Sequence, residues 1–479
     1  MTSGDEAGGK GMANADPWLE HWRLSRSRER PDRSAAGWLF GWPWLDPLGS
    51  MALRRWYFPL SRLWAAAEIS GGCVESFFEA VPLHPLRSPR RGLEETLAGF
   101  EEARITAAAI DRAWHNGFFR SEGPDGVPPS DAALTALEAS RFNARHRLNM
   151  MRRGFRVLLK THPARVGFTI PEPSHVAACY GSALTDPRPA FAAPDPMPPV
   201  RISRSIATKQ GRDYWLSFRS PSKRLGDHVF ARVHEPTGIV DPPTVIFGHG
   251  VCVEFDHWRG LIDESAWLVE RGIRVIRPEA PWHGRRRPPG FYGGERMIAA
   301  FPLGNLDLVT GAVREWAVLA DWARQTSDGP LGFAGSSLGA LTAQLAADRS
   351  SAWPSHLRPD ALLLITHCWQ FGHALEKGEL MRIWGGEDTV RAKGWQPETV
   401  GRYLALLAPG AASPIPPDRI VSVLGRRDCV TPFASGAELV KSWRVPPENC
   451  FFWNRGHFSI PVTLMRKHAP LDRFAEVLR

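Results

Sequence analysis

Leu331–Gln344 reads LGFAGSSLGALTAQ, an apolar, strand-like run that gives way to an alanine-rich, helix-like one across Gly335-Ser336-Ser337-Leu338-Gly339. Glycines flanking a sharp strand-to-helix turn permit tight backbone geometry and a close helix–strand approach, which leaves the central serine hydroxyl exposed at the apex. The same five residues could be only a small-residue bend. With 44 glycines in 479 residues the pattern is too easily met by chance to stand alone. If Ser337 is a nucleophile, the rest of the chain has to provide its base, its acid and its oxyanion donors.

The flanking sequence has the rhythm of an open α/β sheet. TVIFGHG (Thr244–Gly250), RVIRPEAP (Arg274–Pro281), ALLLITH (Ala361–His367), RIVSVLG (Arg419–Gly425) and NCFFWNRGH (Asn449–His457) are short, near-continuous apolar runs with helix-like segments between most of them. Buried parallel strands read this way, and strand–helix alternation implies a doubly wound, mostly parallel sheet. Two earlier runs, DYWLSFRS (Asp213–Ser220) and HVFARVHEP (His228–Pro236), alternate like exposed antiparallel strands.

In such a sheet reactive groups collect beyond the carboxyl ends of the strands. Ser337 follows LGFAG, Asp428 follows RIVSVLG in LGRRDCVTP, and His457 follows CFFWN in NRGHFS. The chain order is therefore Ser, Asp, His, which differs from the two other common serine-protease orders. The loop after TVIFG brings His249 and Gly250, and the backbone N–H of Val251 or Cys252 could face a substrate carbonyl. The N–H of Leu338, next to Ser337, would be the second donor.

Each candidate has a rival reading. Asp428 could pair on the surface with Arg426 or Arg427, and His468 is a weaker alternative to His457. No acidic residue follows Thr366-His367, so the other usual acid position is empty. His249 is read as shaping its loop by hydrogen bonding, and His283 in PWHGRR as lining the site entrance. Arg285, Arg286 and Arg287 could steer an acidic substrate, but a solvated basic loop is the preferred reading. Cys252 and Cys368 are read as small apolar residues near the site, with nothing marking them as thiolates.

Taken together, FGHG, APWHGRRRP, GSSLG, GRRDCVTP and RGHFS, in that order, resemble the α/β-hydrolase superfamily, serine esterase and lipase type, over about residues 200–479. The resemblance implies Ser337 as nucleophile, His457 as general base and then acid, and Asp428 as the group that fixes the His457 tautomer. Dehalogenase and epoxide-hydrolase members carry an aspartate at the elbow, so serine argues against those chemistries. The chain lacks the longer HGGG oxyanion signature. No metal or organic cofactor is expected.

The remainder of the chain sets the organisation. Residues 1–35 have the composition of a disordered segment. Residues 36–185 read as a helical region, with helices over Met51–Val81, Leu93–Phe119 and Ser130–Leu159 and an N-cap at Ser130. A proline-rich linker, DPRPAFAAPDPMPPV, occupies residues 186–200, and the hydrolase domain fills 201–479. An insertion at about 367–417, with HALEKGELMRIW and PETVGRYLALLAP, reads as a helical cap.

The net charge of +9 and a pI near 9.5 raise the question of acidic partners. Yet the arginines are dispersed and no zinc-finger or RNP-like pattern is present, which argues against nucleic acid. Six scattered cysteines without a C-x-x-C pair argue against a zinc site and a disulfide scaffold. The polar N-terminus and the lack of a long apolar run make cytoplasmic the default location. Three tryptophans in GWLFGWPWLDPLG (residues 37–49) allow a peripheral membrane contact, although packing on the protein's own core is preferred. The expected substrate is a small-molecule ester with a hydrophobic acyl or alcohol part. A thioesterase or acyltransferase, a lipid hydrolase at a membrane surface, and a catalytically silent binding protein remain alternatives.

Overall fold

A computed structural model describes residues 45–81, 90–120, 128–252 and 264–479. The segment read as disordered, and most of the tryptophan-rich stretch, lie outside the described residues.

Among the described residues ten strands form one sheet: β1 (Arg201–Ile202), β2 (Ile206–Ala207), β3 (Gly211–Arg219), β4 (His228–Pro236), β5 (Thr244–Gly248), β6 (Arg274–Pro278), β7 (Leu331–Ser336), β8 (Ala361–Ile365), β9 (Ile420–Gly425) and β10 (Cys450–Trp453). Their order is β1-β3-β4-β6-β5-β7-β8-β9-β10, with β2 pairing to β3. From β6 to β10 every pairing is parallel, whereas β3 and β4 run antiparallel at one side. The order reverses between the neighbours β5 and β7, which is where a doubly wound sheet opens a crevice. This is the α/β-hydrolase fold.

The parallel strands are buried on both faces because alternate side chains enter opposite cores. Ile246, Ile276, Phe333, Leu362, Leu364 and Leu424 face helices that include Leu303–Thr326 and Leu338–Arg349. Val245, Phe247, Val275, Leu363, Val421 and Val423 face Glu264–Glu270 and Ala469–Leu478. That double burial explains why the runs are apolar without alternation.

The N-terminal helices cover the antiparallel side. Trp114 and Phe118, on the helix Arg90–Phe119, set their rings 5.0 and 4.9 Å from Trp215 of β3. The central residues of β3 are consequently buried on both faces, so its reading as an exposed strand is corrected. The helix expected over 51–81 is divided: Leu45–Ala52, a π-helical turn Leu53–Tyr57, Phe58–Ser70 and Val74–Ala80. Gly71 and Gly72, at φ +58° and +82°, supply the left-handed break that ends the longest piece. Ser130 caps the helix Asp131–Met150 by accepting from the Ala133 N–H, and the chain then tightens to a 3₁₀ helix over Met151–Thr161.

In the proline-rich stretch Arg188–Phe191 is helical, and Phe191 is buried in the main core with the Arg349 guanidinium 5.0 Å over its ring and its carbonyl accepting from Trp353 Nε1 at 2.8 Å. Between β8 and β9 lie four short helices, Phe371–Glu376, Leu380–Trp384, Glu387–Ala392 and Pro397–Leu404. Their Ile383, Trp384, Tyr403 and Leu404 belong to the main core.

The basic loop is not solvated. Arg286 is buried, bridging Asp227 and Glu315 through bonds of 2.7–2.9 Å. Arg285 lies 3.9 Å over the Trp114 ring, where burial, with nearby Arg141, lowers its pKa to about 10. Arg287 forks onto both oxygens of Glu68. Distant carboxylates neutralise Arg286 and Arg287, and a distant tryptophan ring covers Arg285, which a local charge count does not reveal. Among the described residues no helix is long and apolar enough to cross a membrane.

Candidate active site

Residue packing dictates the turn at Ser337. Ser337 has φ +55° and ψ −118°, a strained conformation for a side chain other than glycine. Its N–H donates to the Ile365 carbonyl of β8 at 2.9 Å, and the helix Leu338–Arg349 starts at the next residue. A Cβ at Gly339 would stand 2.0 Å from the Gly248 carbonyl oxygen, and one at Gly335 would stand 2.3 Å from the Gly339 carbonyl carbon. Both flanking glycines are therefore required by close backbone contact. Gly248 also pairs in register with Gly335, so the turn that follows β5 lies beside the elbow.

His457 and Asp428 meet Ser337 there. His457 Nε2 lies 3.0 Å from Ser337 Oγ, and His457 Nδ1 lies 2.8 Å from Asp428 Oδ2. Because a carboxylate only accepts, Nδ1 carries a proton and Nε2 presents a lone pair to the serine. Asp428 and His457 are both buried. Asp428 Oδ1 accepts the N–H groups of Val430 and Thr431 at 2.9 and 2.8 Å. The rival pairing does not describe the carboxylate, since Arg427 donates to Asn454 and Arg426 lies over the rings of Phe433 and Phe452. His468 stacks on Trp267 instead.

Thr431 was missed. Its hydroxyl lies 2.9 Å from Asp428 Oδ2, 3.1 Å from His457 Nδ1 and 3.0 Å from the Thr366 carbonyl. The signal in the sequence is the D-x-x-T spacing, in which an aspartate turns back on its own chain and places a hydroxyl beside its carboxylate.

The remaining candidates gather at the β5 turn. His249 Nδ1 lies 2.7 Å from the Gly250 carbonyl, and its Nε2 accepts the Ala280 N–H. Burial pushes its pKa down to about 4, which keeps the ring neutral while it hydrogen-bonds within its loop. His283 is fully buried and does not line an entrance: Nδ1 faces the Pro281 carbonyl and Nε2 accepts the Cys252 N–H at 3.2 Å. The Cys252 N–H is thereby engaged, whereas Val251, half-buried, precedes it on the same turn. Leu338, the first residue of its helix, has no intrahelical acceptor for its N–H. Cys368 is buried, and burial drives its thiol well above the usual range, so it is not a thiolate.

No protein-family model and no curated protein sequence matches the chain. Solved structures do. A cold-adapted esterase from an Arctic intertidal metagenomic library, bound to PEG, is 17% identical with TM-score 0.38, covering 58% of this chain and 98% of that one. Acetyl xylan esterase 1 from Thermoanaerobacterium sp. JW/SL YS485 is 14% identical with TM-score 0.45, covering 65% and 96%. An S-formylglutathione hydrolase from Agrobacterium tumefaciens is 15% identical with TM-score 0.40, covering 58% and 99%. The fold assignment itself stands on the strand order and register.

Proposed function

We propose that the protein is a serine hydrolase that cleaves a carboxylic ester through an acyl-enzyme. The observation that carries this reading is the unbroken chain from Asp428 to His457 to Ser337, at 2.8 and 3.0 Å. His457 Nε2 takes the Ser337 hydroxyl proton as Oγ bonds to the ester carbonyl carbon. The developing oxyanion accepts from the backbone N–H groups of Leu338 and Val251. The C–O bond to the leaving group then breaks, and the Nε2 proton passes to the departing alkoxide. Water repeats the sequence on the acyl-enzyme, giving the acid and free Ser337. Asp428 keeps the Nδ1 proton in place and stabilises the imidazolium formed in each half.

The test is to incubate the full chain and Ser337→Ala with a fluorophosphonate and measure intact mass. One adduct on the wild type and none on the variant is expected. A folded wild type that takes no adduct sinks the proposal and favours a silent binding fold.

A second reading, hydrolysis at an anionic lipid surface, draws on exposed Leu48, Met51 and Trp56 beside exposed Arg54 and Arg55. Flotation with vesicles containing phosphatidylserine tests it. Binding that persists in Trp56→Ser with Arg54→Gln and Arg55→Gln would remove this patch from consideration.

A further inference from the structure

The reading of His457 as general base leaves open what holds its loop, Arg455–Ser459, which hangs beyond β10. One grip comes from more than 400 residues away in sequence. Asp46, on the N-terminal helix Leu45–Ala52, is buried against this loop. Its Oδ1 accepts the Phe458 N–H at 2.7 Å and its Oδ2 accepts the Ser459 hydroxyl at 2.8 Å. Ser459 Oγ in turn accepts the Gly456 N–H at 2.9 Å. The carboxylate also lies flat on Gly456: a Cβ there would stand 2.2 Å from the Asp46 carboxyl carbon. One turn on, Gly49 packs on the Phe458 ring, where a Cβ would be 3.0 Å away. Residues on both sides of His457 are thus held by one helix.

From this we infer that Asp46 is a positioning residue for His457, acting through Gly456, Phe458 and Ser459. It rests on the serine-hydrolase reading. Asp428 fixes the rotation and tautomer of the imidazole, while Asp46 fixes the backbone from which the imidazole projects. The two carboxylates enter from different parts of the fold, so neither substitutes for the other. The same N-terminal element reaches the opposite half of the site, since the Tyr57 hydroxyl donates to the Cys252 carbonyl at 3.3 Å. A nucleophile–base pair tolerates little play: misplacement by about 1 Å costs on the order of 100-fold in rate.

The experiment uses the full chain with Asp46→Ala and Asp46→Asn. Three quantities are read: the fluorophosphonate labelling rate, kcat and KM on a p-nitrophenyl ester, and the low-field NMR signal of the His457 Nδ1 proton in selectively labelled protein. Asp46→Ala should slow labelling and lower kcat by about 10- to 100-fold with KM little changed, and its Nδ1 signal should broaden. Asp46→Asn should fall between, because an amide oxygen still accepts the Phe458 N–H. A folded Asp46→Ala that labels within about twofold of wild type and keeps a sharp Nδ1 signal overturns the inference. Should Asp46→Ala fail to fold, Ser459→Ala removes half of the contact, and an unchanged rate there is equally fatal. If wild type itself takes no label, the serine-hydrolase reading is what fails. The Nδ1 signal then decides Asp46 alone, and its persistence in Asp46→Ala, or in Ser459→Ala where Asp46→Ala does not fold, refutes the inference.

Discussion

Replacing Asp428 by asparagine changes one atom, and the structure dictates which way the new amide must turn. Oδ1 accepts two backbone N–H groups, from Val430 and Thr431, so an NH₂ there would confront two donors and leave both unpaired. Each buried unpaired donor costs about 1–3 kcal/mol, enough to fix the amide oxygen at the Oδ1 position. The NH₂ is then forced to the Oδ2 position, 2.8 Å from His457 Nδ1. Nδ1 must offer it a lone pair, and the imidazole proton moves to Nε2, facing Ser337 Oγ. A base with its proton on the wrong nitrogen cannot deprotonate the serine. The expected loss in labelling rate and kcat is on the order of 10⁴-fold, or about 5.5 kcal/mol of transition-state stabilisation. Asp428→Ala imposes no tautomer, so it should be no slower than Asp428→Asn despite being the larger deletion. Labelling rates of both variants, with melting temperatures to show that they fold, form the assay. An Asp428→Asn enzyme within about tenfold of wild type, or clearly faster than Asp428→Ala, would refute the reasoning.

Other consequences are as specific. Gly339→Ala drives a Cβ to 2.0 Å from the Gly248 carbonyl oxygen, backbone against backbone, so it should destabilise the fold by about 3 kcal/mol or more and abolish labelling; denaturant unfolding reads the first and intact mass the second. Arg286→Met leaves Glu315 without its cation in a site where burial already raises the carboxyl pKa. A loss of about 3–5 kcal/mol is expected in urea unfolding, and a loss under about 1 kcal/mol would show that the pair is unimportant. His249 and His367 titrate near 4 and 3 because burial disfavours their charged forms. In the unfolded chain each titrates near the ordinary 6.5, so the unfolded state binds more protons below that pH. Their contribution, on the order of 3 kcal/mol or more each, is full above pH 6.5 and is lost as pH falls through about 4 for His249 and about 3 for His367. His367→Asn should flatten the stability–pH slope over that window, and an unaltered slope would count against burial as the cause.

The sheet was readable because parallel strands buried on both faces leave near-continuous apolar runs, and because catalytic positions fall at fixed places after those runs. Ser337, Asp428 and His457 could therefore be named from local context, and the structure brings all three within hydrogen-bonding reach. What escaped the reading depends on partners distant in the chain. Trp215 looks like an alternating exposed-strand residue until Trp114 and Phe118 cover it. Arg286 looks like surface charge until Glu315, twenty-nine residues on, meets it in the core. His283 sits in a loop rich in arginine, a composition typical of solvent-facing chain, yet its acceptor nitrogen is spent on Cys252. Thr431 was within reach of a local rule, and Asp46 was not.

These long-range contacts bear on whether the hydrolase sheet can stand without the helical layer. Arg62 donates to the Gly290 carbonyl and to Glu295, and Glu68 accepts from Arg287 and the Gly290 N–H. Both grip the loop that carries His283, and through His283 they bear on the Cys252 turn beside the elbow. Asp46 meanwhile holds the loop of His457. Deleting the layer would also open Trp215 and Tyr292, now 3% and 0% exposed, to water. Each such aromatic loses about 2–3 kcal/mol of burial, a sizeable part of the 5–15 kcal/mol that holds a typical domain together. A chain beginning at residue 186 is accordingly expected to aggregate or, if soluble, to label with fluorophosphonate at least tenfold more slowly than the full protein. Size-exclusion chromatography followed by the labelling assay measures both. A soluble monomer that labels at the full rate would show that the layer is a passenger, and that the grips on both loops are incidental to the chemistry.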